Sequence, residues 1–93
     1  MTSKTDKPHI DIGIRLKMVR KHLGHTQANF SKIHNYSQPQ YANWESGFRR
    51  IPIESAAILE ERYGITLDFI FLGRLKTLPH NLAVEFGDKS LDK

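Results

Sequence analysis

Apolar residues recur at helical spacing near the start of the chain and predict a first α-helix. Asp11 can cap this helix, which runs to about His22 before Gly24 ends it. Four apolar residues share one stripe of it: Ile12, Leu16, Val19 and Leu23. The basic residues lie on or beside the opposite face: Arg15, Lys17, Arg20 and Lys21. The pattern is typical of an amphipathic helix packed on a core.

Two further helices are predicted on either side of a short turn. Thr26 is a good N-cap for a second helix that should stop near His34. Asn35 tolerates the left-handed conformation that commonly follows a helix. Ser37 opens a third helix through an S-x-x-Q capping box, and Gly47 ends it. The two helices therefore meet across about three residues.

The remaining apolar positions predict two more helices. Pro52 fits the first turn of a fourth helix that ends at Gly64. Thr66 can cap a fifth helix that ends at Gly73. No segment alternates between apolar and polar residues with period two, so strands are not expected. We predict an all-α compact bundle of five short helices over residues 11–73.

Polar segments flank this unit on both sides. Residues 1–10 are predicted to be an N-terminal arm and residues 74–93 a C-terminal tail. Residues 80–86 of the tail can form two helical turns, and this segment is either a packed or dimer-forming helix or a mobile chain end. Four apolar residues are candidates for exposed dimer or partner contacts: Phe71, Leu75, Leu82 and Phe86.

Composition and charge narrow the class of protein. The 93 residues have room for one domain. With no cysteine there can be no disulfide or thiolate zinc site, and no apolar run approaches the roughly 20 residues that span a bilayer. We expect a soluble, cytoplasmic protein without membrane association.

The two halves of the chain differ in charge. Residues 1–50 carry nine Lys/Arg and three Asp/Glu, a net of +6, whereas residues 51–93 carry five Lys/Arg and seven Asp/Glu, a net of −2. The basic half is a candidate surface for a polyanion such as nucleic acid.

Catalytic and metal-binding patterns are not found. The chain has no glycine-rich phosphate loop, no H-E-x-x-H and no nucleophile elbow. His22 and His25 straddle the helix end at Gly24 and have no second pair of ligands. We therefore predict neither an enzyme nor a metal site, and no cofactor.

The stretch from Ile12 to Gly73 resembles the Cro and phage-repressor class of helix-turn-helix domains, also called the xenobiotic-response-element (XRE) family. The resemblance is carried by R20, T26-Q27, F30, I33, S37-Q38, W44-E45-S46-G47, P52 and the segment GITLDFIFLG that ends at residue 73. It implies a lambda-repressor-like fold. The chain departs from the family at four positions: Ser31, His34, Asn35 and Tyr36. Ser31, where alanine is usual, can bond to the Gln27 carbonyl.

The resemblance implies that the third helix enters the major groove of DNA. By this likeness Gln38 and Asn43 are the strongest base-reading candidates, since amides can pair with adenine, and Pro39 can touch a thymine methyl. Gln40 is either a base reader or occupied by the capping box. Candidate phosphate contacts are Gln27, Asn29, Ser37, Ser46, Arg49 and Arg50, with Lys32 a weaker one.

Two further roles are structural. The family pairs an arginine of the first helix with the glutamate that ends the third, which here are Arg20 and Glu45, as a partly buried ion pair. Trp44 falls on the inward side of the third helix and is expected in the core.

The resemblance implies a sequence-specific DNA-binding transcriptional regulator. We expect a bacterial or phage-encoded repressor that occupies a pseudo-palindromic operator on double-stranded DNA as a homodimer. One alternative is an antitoxin with the same DNA-binding core, whose tail docks a toxin. The other is a protein-interaction module that has lost its affinity for DNA.

Overall fold

The computed structural model describes residues 7–91, with side chains through residue 87, and this part of the chain contains helices and no strand. Its six helices are α1 (Ile10–His22), α2 (Gln27–His34), α3 (Gln38–Ser46), α4 (Ile53–Tyr63), α5 (Leu67–Leu72) and α6 (His80–Leu91). The predicted all-α bundle is confirmed, and α6 is added to the five expected helices. Residues 1–6 of the predicted arm lie outside the described part.

Local capping signals correctly predicted most helix ends. Thr26 Oγ1 accepts from the Asn29 backbone N–H at 3.1 Å, and Thr66 Oγ1 accepts in the same way at the start of α5. Asn35 adopts the left-handed conformation, with φ 62°, and is the only non-glycine residue among those described with a positive φ. The α2–α3 turn is therefore the short, tight connection that the sequence predicts.

The predicted cap of the first helix is wrong. His9, not Asp11, occupies the N-cap of α1, and its backbone N–H donates to the Gly47 carbonyl at 2.9 Å. This contact to the end of α3 fixes where α1 begins. Asp11 lies in the first turn, where the positive end of the helix dipole stabilises its negative charge. Pro52 is likewise the N-cap of α4 rather than a residue of its first turn.

One continuous core joins the helices. Residues from every helix enter it: Leu16, Val19, Phe30, Tyr41, Trp44, Ile51, Ala56, Leu59, Ile65, Phe69, Ile70, Leu78, Leu82 and Phe86. Trp44 is a core residue, as expected. The α1 and α3 backbones approach closely at Gly13, where an added Cβ would lie 2.8 Å from the Trp44 carbonyl oxygen. This close approach fixes how α3 is held on the bundle.

The C-terminal helix packs on the core. Phe86 is fully buried and stacks on Phe69 with ring centroids 5.1 Å apart, and Leu82 is 6% exposed. His22 Nδ1 lies 2.9 Å from a Glu85 carboxylate oxygen and ties α6 to the end of α1. The packed-helix alternative thus describes this segment, and the expectation that Leu82 and Phe86 are exposed is wrong. Their burial satisfies the apolar face of α6 within the chain itself.

The basic face predicted for α1 is only partly exposed. Arg15 is half-buried, and its Nε and Nη2 donate to the carbonyls of Ile70 and Phe71 at 2.9 and 3.2 Å. It thereby caps the C-terminal end of α5, where a cation is favoured. Burial lowers the pKa of Arg15, and the nearby Asp11 charge partly offsets this. Arg15 therefore joins α1 to the C-terminal end of α5.

Ser31 does not make the expected bond to the Gln27 carbonyl. Its hydroxyl is buried and has no hydrogen-bond partner among the described residues. A buried polar atom without a partner destabilises a fold. The small side chain does allow α2 to pack closely, as an alanine would.

Candidate nucleic-acid interface

The third helix has one buried and one exposed face. Tyr41 and Trp44 point into the core, and Ser37 and Gly47 fix the two ends of the helix. The four predicted base-reading residues all lie on the exposed side: Gln38, Pro39, Gln40 and Asn43. Three of them belong to the first turn, so that end of α3 presents the largest number of candidate contacts. Helix-turn-helix docking uses the same end of the recognition helix.

The Gln40 side chain is not used by the capping box. Only the Gln40 backbone N–H bonds to Ser37 Oγ, at 3.4 Å. Within the described part of the chain, its amide group makes no hydrogen bond. The Gln40 amide is therefore available at the surface.

A network of polar side chains joins α3 to α1 and α2. Arg20 Nε and Nη2 donate to the two Glu45 carboxylate oxygens at 2.7 and 3.0 Å. Glu45 also accepts from Tyr41 Oη and Gln27 Nε2, both at 2.8 Å. Arg20 completes the network by donating to the His25 carbonyl at 2.9 Å. The side chains of Arg20 and Glu45 are only 12% and 5% exposed, so this is a bidentate, largely buried ion pair.

The network keeps Glu45 ionised. Burial raises the pKa of the Glu45 carboxyl, but the hydrogen bonds from Arg20, Gln27 and Tyr41 together outweigh it and bring the pKa below its ordinary value. Burial, reinforced by the Glu45 charge, raises the pKa of Tyr41 far above neutral, so its hydroxyl remains a donor. Arg20, Gln27 and Tyr41 therefore all donate to an ionised carboxylate.

Gln27 lies at the first position of α2, beside the predicted interface. Its side-chain nitrogen donates to Glu45, and no hydrogen bond to Gln38 occurs within the described residues. The structure thus couples Gln27 to the ion pair of Arg20 and Glu45. Its role as a phosphate contact stays a prediction.

The other predicted phosphate contacts are exposed around α3. They are Asn29 in the first turn of α2, Ser37 and Ser46 at the two ends of α3, and Arg49 and Arg50 in the loop that follows. Ser46 Oγ donates to the Asn43 carbonyl at 3.1 Å and accepts from the Phe48 backbone N–H at 3.4 Å. These bonds hold the start of the basic loop against the end of α3.

Both loop arginines lie over phenylalanine rings, which sequence reasoning missed. The Arg49 guanidinium carbon is 5.1 Å from the Phe48 ring centroid, and that of Arg50 is 4.5 Å from the Phe71 centroid. The first pair consists of neighbours in sequence and could have been noticed. The second joins the loop to α5 and depends on the tertiary fold.

His34 occupies a buried position at the end of α2, next to the turn. Its Nδ1 lies 2.7 Å from the Phe30 carbonyl oxygen, and its Nε2 lies 2.7 Å from Tyr63 Oη. A carbonyl can only accept, so Nδ1 carries the proton and Nε2 accepts from the tyrosine hydroxyl. The ring also packs on Phe30 and Tyr36, with centroids 4.3 and 5.6 Å away. Sequence reasoning noted His34 as a departure from the family but not this bonding.

We expect the free energy of unfolding to decrease as the pH drops below about 6.5, because His34 then becomes protonated more readily in the unfolded chain than in the folded one. Burial lowers the pKa of His34, and the bond to the Phe30 carbonyl partly offsets this effect. The charges of Arg62 and His25 lower the pKa further. A lowered pKa means that the unfolded chain binds the proton more tightly, so the His34 contribution is complete above the unfolded pKa and is lost as the pH falls through the folded value. The measurement is the urea midpoint between pH 7.5 and 5.

His34→Leu should flatten this pH dependence, because leucine fills a similar volume without titrating. The control is His80→Gln, at the exposed start of α6, which should keep the natural profile. An unchanged slope in the His34 variant would contradict the assignment.

Other site classes find no support in the described residues. No group of three or more metal-ligating side chains comes together among them. No helix in residues 7–91 has the length and apolar content needed to cross a membrane.

Comparison with known proteins identifies the family. A family model described as helix-turn-helix matches residues 16–70, more than half of the chain, and spans all of α2, α3 and α4. No curated protein and no solved structure gives a significant match. The family is one of DNA-binding proteins that are typically not enzymes. With two helices meeting at a tight turn and an exposed polar face on the second, this chain belongs to the Cro and phage-repressor type (XRE-like) helix-turn-helix family of DNA-binding transcription regulators.

Proposed function

We propose that the protein is a repressor that binds a pseudo-palindromic operator as a homodimer. The helix α3 reads bases in the major groove, and each protomer occupies one half-site. Half-sites in such operators lie about 34 to 36 Å apart, one helical turn of DNA. Occupying the operator blocks RNA polymerase.

The observation that carries this proposal is the set of exposed amide side chains on α3. Gln38, Gln40 and Asn43 are all exposed, and their amides make no hydrogen bond with the described part of the chain. The oxygen of an amide accepts a hydrogen bond from adenine N6 and its nitrogen donates to N7, so one amide recognises both atoms at once. Three such exposed groups on one helix fit base reading.

The surroundings of α3 fit the DNA backbone. The N-terminus of α2 offers backbone N–H groups, with Thr26 as its cap and Asn29 exposed beside it. Arg49 and Arg50 follow the C-terminal end of α3 and are exposed. Phosphate contacts beside a recognition helix set its register in the groove.

Replacing Gln38 by alanine should relax specificity at one base pair, at a cost of about 1 to 3 kcal/mol for the preferred base. The measurement is selection of sites from random duplex DNA at roughly 150 mM salt, followed by affinities for the selected site and its single-base variants. Arg49→Ala is the matched control: it should weaken binding to all sequences about equally and reduce the salt slope by about one.

An inverted repeat in the selected sites would support a dimer and give its half-site spacing. Sedimentation on and off DNA then tests the stoichiometry, and a monomer in both states would overturn the homodimer. Equal losses on every sequence from Gln38→Ala would overturn its role as a base reader. Salt-sensitive binding without a motif would favour the antitoxin alternative, and no binding to any DNA would favour the protein-interaction module.

A further inference from the structure

We infer that Phe71 is a positioning residue that holds the Arg50 side chain for contact with a DNA phosphate. The inference rests on the proposed function and assigns a role to a residue outside the recognition helix. It begins with the Arg50 guanidinium, whose carbon lies 4.5 Å from the centroid of the Phe71 ring. A cation at this distance over an aromatic face is attracted by the ring.

The Phe71 ring is attached to a rigid part of the fold. Arg15 of α1 donates to the carbonyls of Ile70 and Phe71, at 2.9 and 3.2 Å. Gly73 ends α5 in the left-handed conformation, and its N–H donates to the Phe69 carbonyl at 2.9 Å. The backbone that carries the ring is therefore held on both sides, and the Phe71 side chain packs, partly buried, against the core, which makes the ring a fixed platform.

Stacking leaves the donors of Arg50 available. The N–H groups of a guanidinium lie in its plane, whereas the ring contacts one face of that plane. An arginine over an aromatic ring can therefore still bind phosphate through its edge. Because the ring already restricts the rotamers of Arg50, less side-chain entropy is lost when phosphate binds.

Arg49 provides an internal comparison. It lies over Phe48 at 5.1 Å, but Phe48 belongs to the same loop and is 50% exposed. Phe71, in contrast, is partly buried against the core, so its ring is the more firmly held platform of the two. We therefore assign positioning to Phe71 and not to Phe48.

The test compares Phe71→Leu with Phe71→Tyr, each alone and combined with Arg50→Ala, on the selected DNA site. Phe71→Leu should weaken binding about two- to fivefold, because the freed Arg50 side chain then loses more rotamer entropy when phosphate binds. Phe71→Tyr keeps the ring and should bind within about twofold of the natural protein. Phe48→Leu is the control and should change affinity less than Phe71→Leu does.

The combined variants separate positioning from a general structural or dimer role. Phe71→Leu should have no further effect once Arg50 is alanine. An equal loss in the Arg50→Ala background would overturn the inference, and so would full affinity of Phe71→Leu. Thermal melting of each variant identifies any loss that comes from unfolding.

A measurement without DNA keeps this inference separate from the proposed function. In the free protein, the Arg50 side-chain protons should show an upfield ring-current shift in NMR spectra. Phe71→Leu should remove that shift and Phe71→Tyr should retain it. Absence of the shift in the natural protein would overturn the inference, whereas a normal shift without any DNA binding would overturn the proposed function.

Discussion

Replacing Glu45 by alanine is expected to lower the free energy of unfolding by about 3 kcal/mol, the lower end of the range for breaking a buried ion pair. Arg20 would keep its bond to the His25 carbonyl but lose both bonds to the carboxylate. Tyr41 Oη and Gln27 Nε2 would each lose an acceptor at 2.8 Å. A single substitution therefore leaves four donor groups, on three side chains, without their shared acceptor.

Chemical denaturation of the Glu45→Ala protein, with Glu61→Ala as the control, measures this effect. Glu61 is an exposed carboxylate of α4, so its removal changes the net charge equally without breaking the network. Exposed charges contribute little to stability, and the control should lie within about 0.5 kcal/mol of the natural protein. If the two variants unfolded at the same denaturant concentration, the ion pair would not stabilise the fold as its geometry implies.

Local chemistry explains why so many helix ends were predictable. A cap at Thr26 or Ser37 needs only a hydroxyl and the backbone two or three residues away, and both lie in the same short stretch of sequence. Asn35 and Gly47 act through their own backbone preference. Such signals do not depend on what the rest of the chain does.

The failures concern contacts between distant parts of the chain. The sequence pattern places Arg15 on or beside the solvent-facing basic face of α1, yet its side chain binds carbonyls 55 and 56 residues away. Aspartate is a common N-cap residue, which favoured Asp11, but a backbone bond from His9 to Gly47 sets the start of the helix. The helical spacing of Phe86 fits a dimer contact and a core position equally well. Only the packing of α6 on the rest of the chain shows that Phe86 is a core residue.

The candidate site follows the same division. The exposure of Gln38 and Asn43 could be predicted, because the spacing of Tyr41 and Trp44 identifies the buried face of α3. The family resemblance pointed to the ion pair of Arg20 and Glu45, whose geometry is now visible. The ring beneath Arg50 could not be predicted, since it comes from a helix some twenty residues further along the chain.

Replacing Gly13 by alanine is expected to destabilise the protein by about 2 to 3 kcal/mol, although alanine is the better helix former by roughly 1 kcal/mol. Gly13 is buried inside α1, and an added Cβ would overlap the Glu45 carbonyl and lie 2.8 Å from the Trp44 carbonyl oxygen. Neither neighbour is a flexible side-chain end, so the α1 and α3 backbones must separate. An isolated glycine close to the apolar stripe of a helix is the sequence signal for such an approach.

Gly87→Ala is the matched control, because Gly87 lies in α6 and, among the described residues, its Cβ would meet only the end of the Leu75 side chain, at 3.3 Å. That side chain can move, so the gain in helix propensity should leave this variant as stable as the natural protein or up to about 1 kcal/mol more stable. Thermal and denaturant unfolding of both variants measures the difference. Since α3 carries the candidate base readers, the displaced helix in Gly13→Ala should also weaken DNA binding under conditions where the variant is folded. A Gly13→Ala protein more stable than the natural one would show that the two backbones can separate without cost.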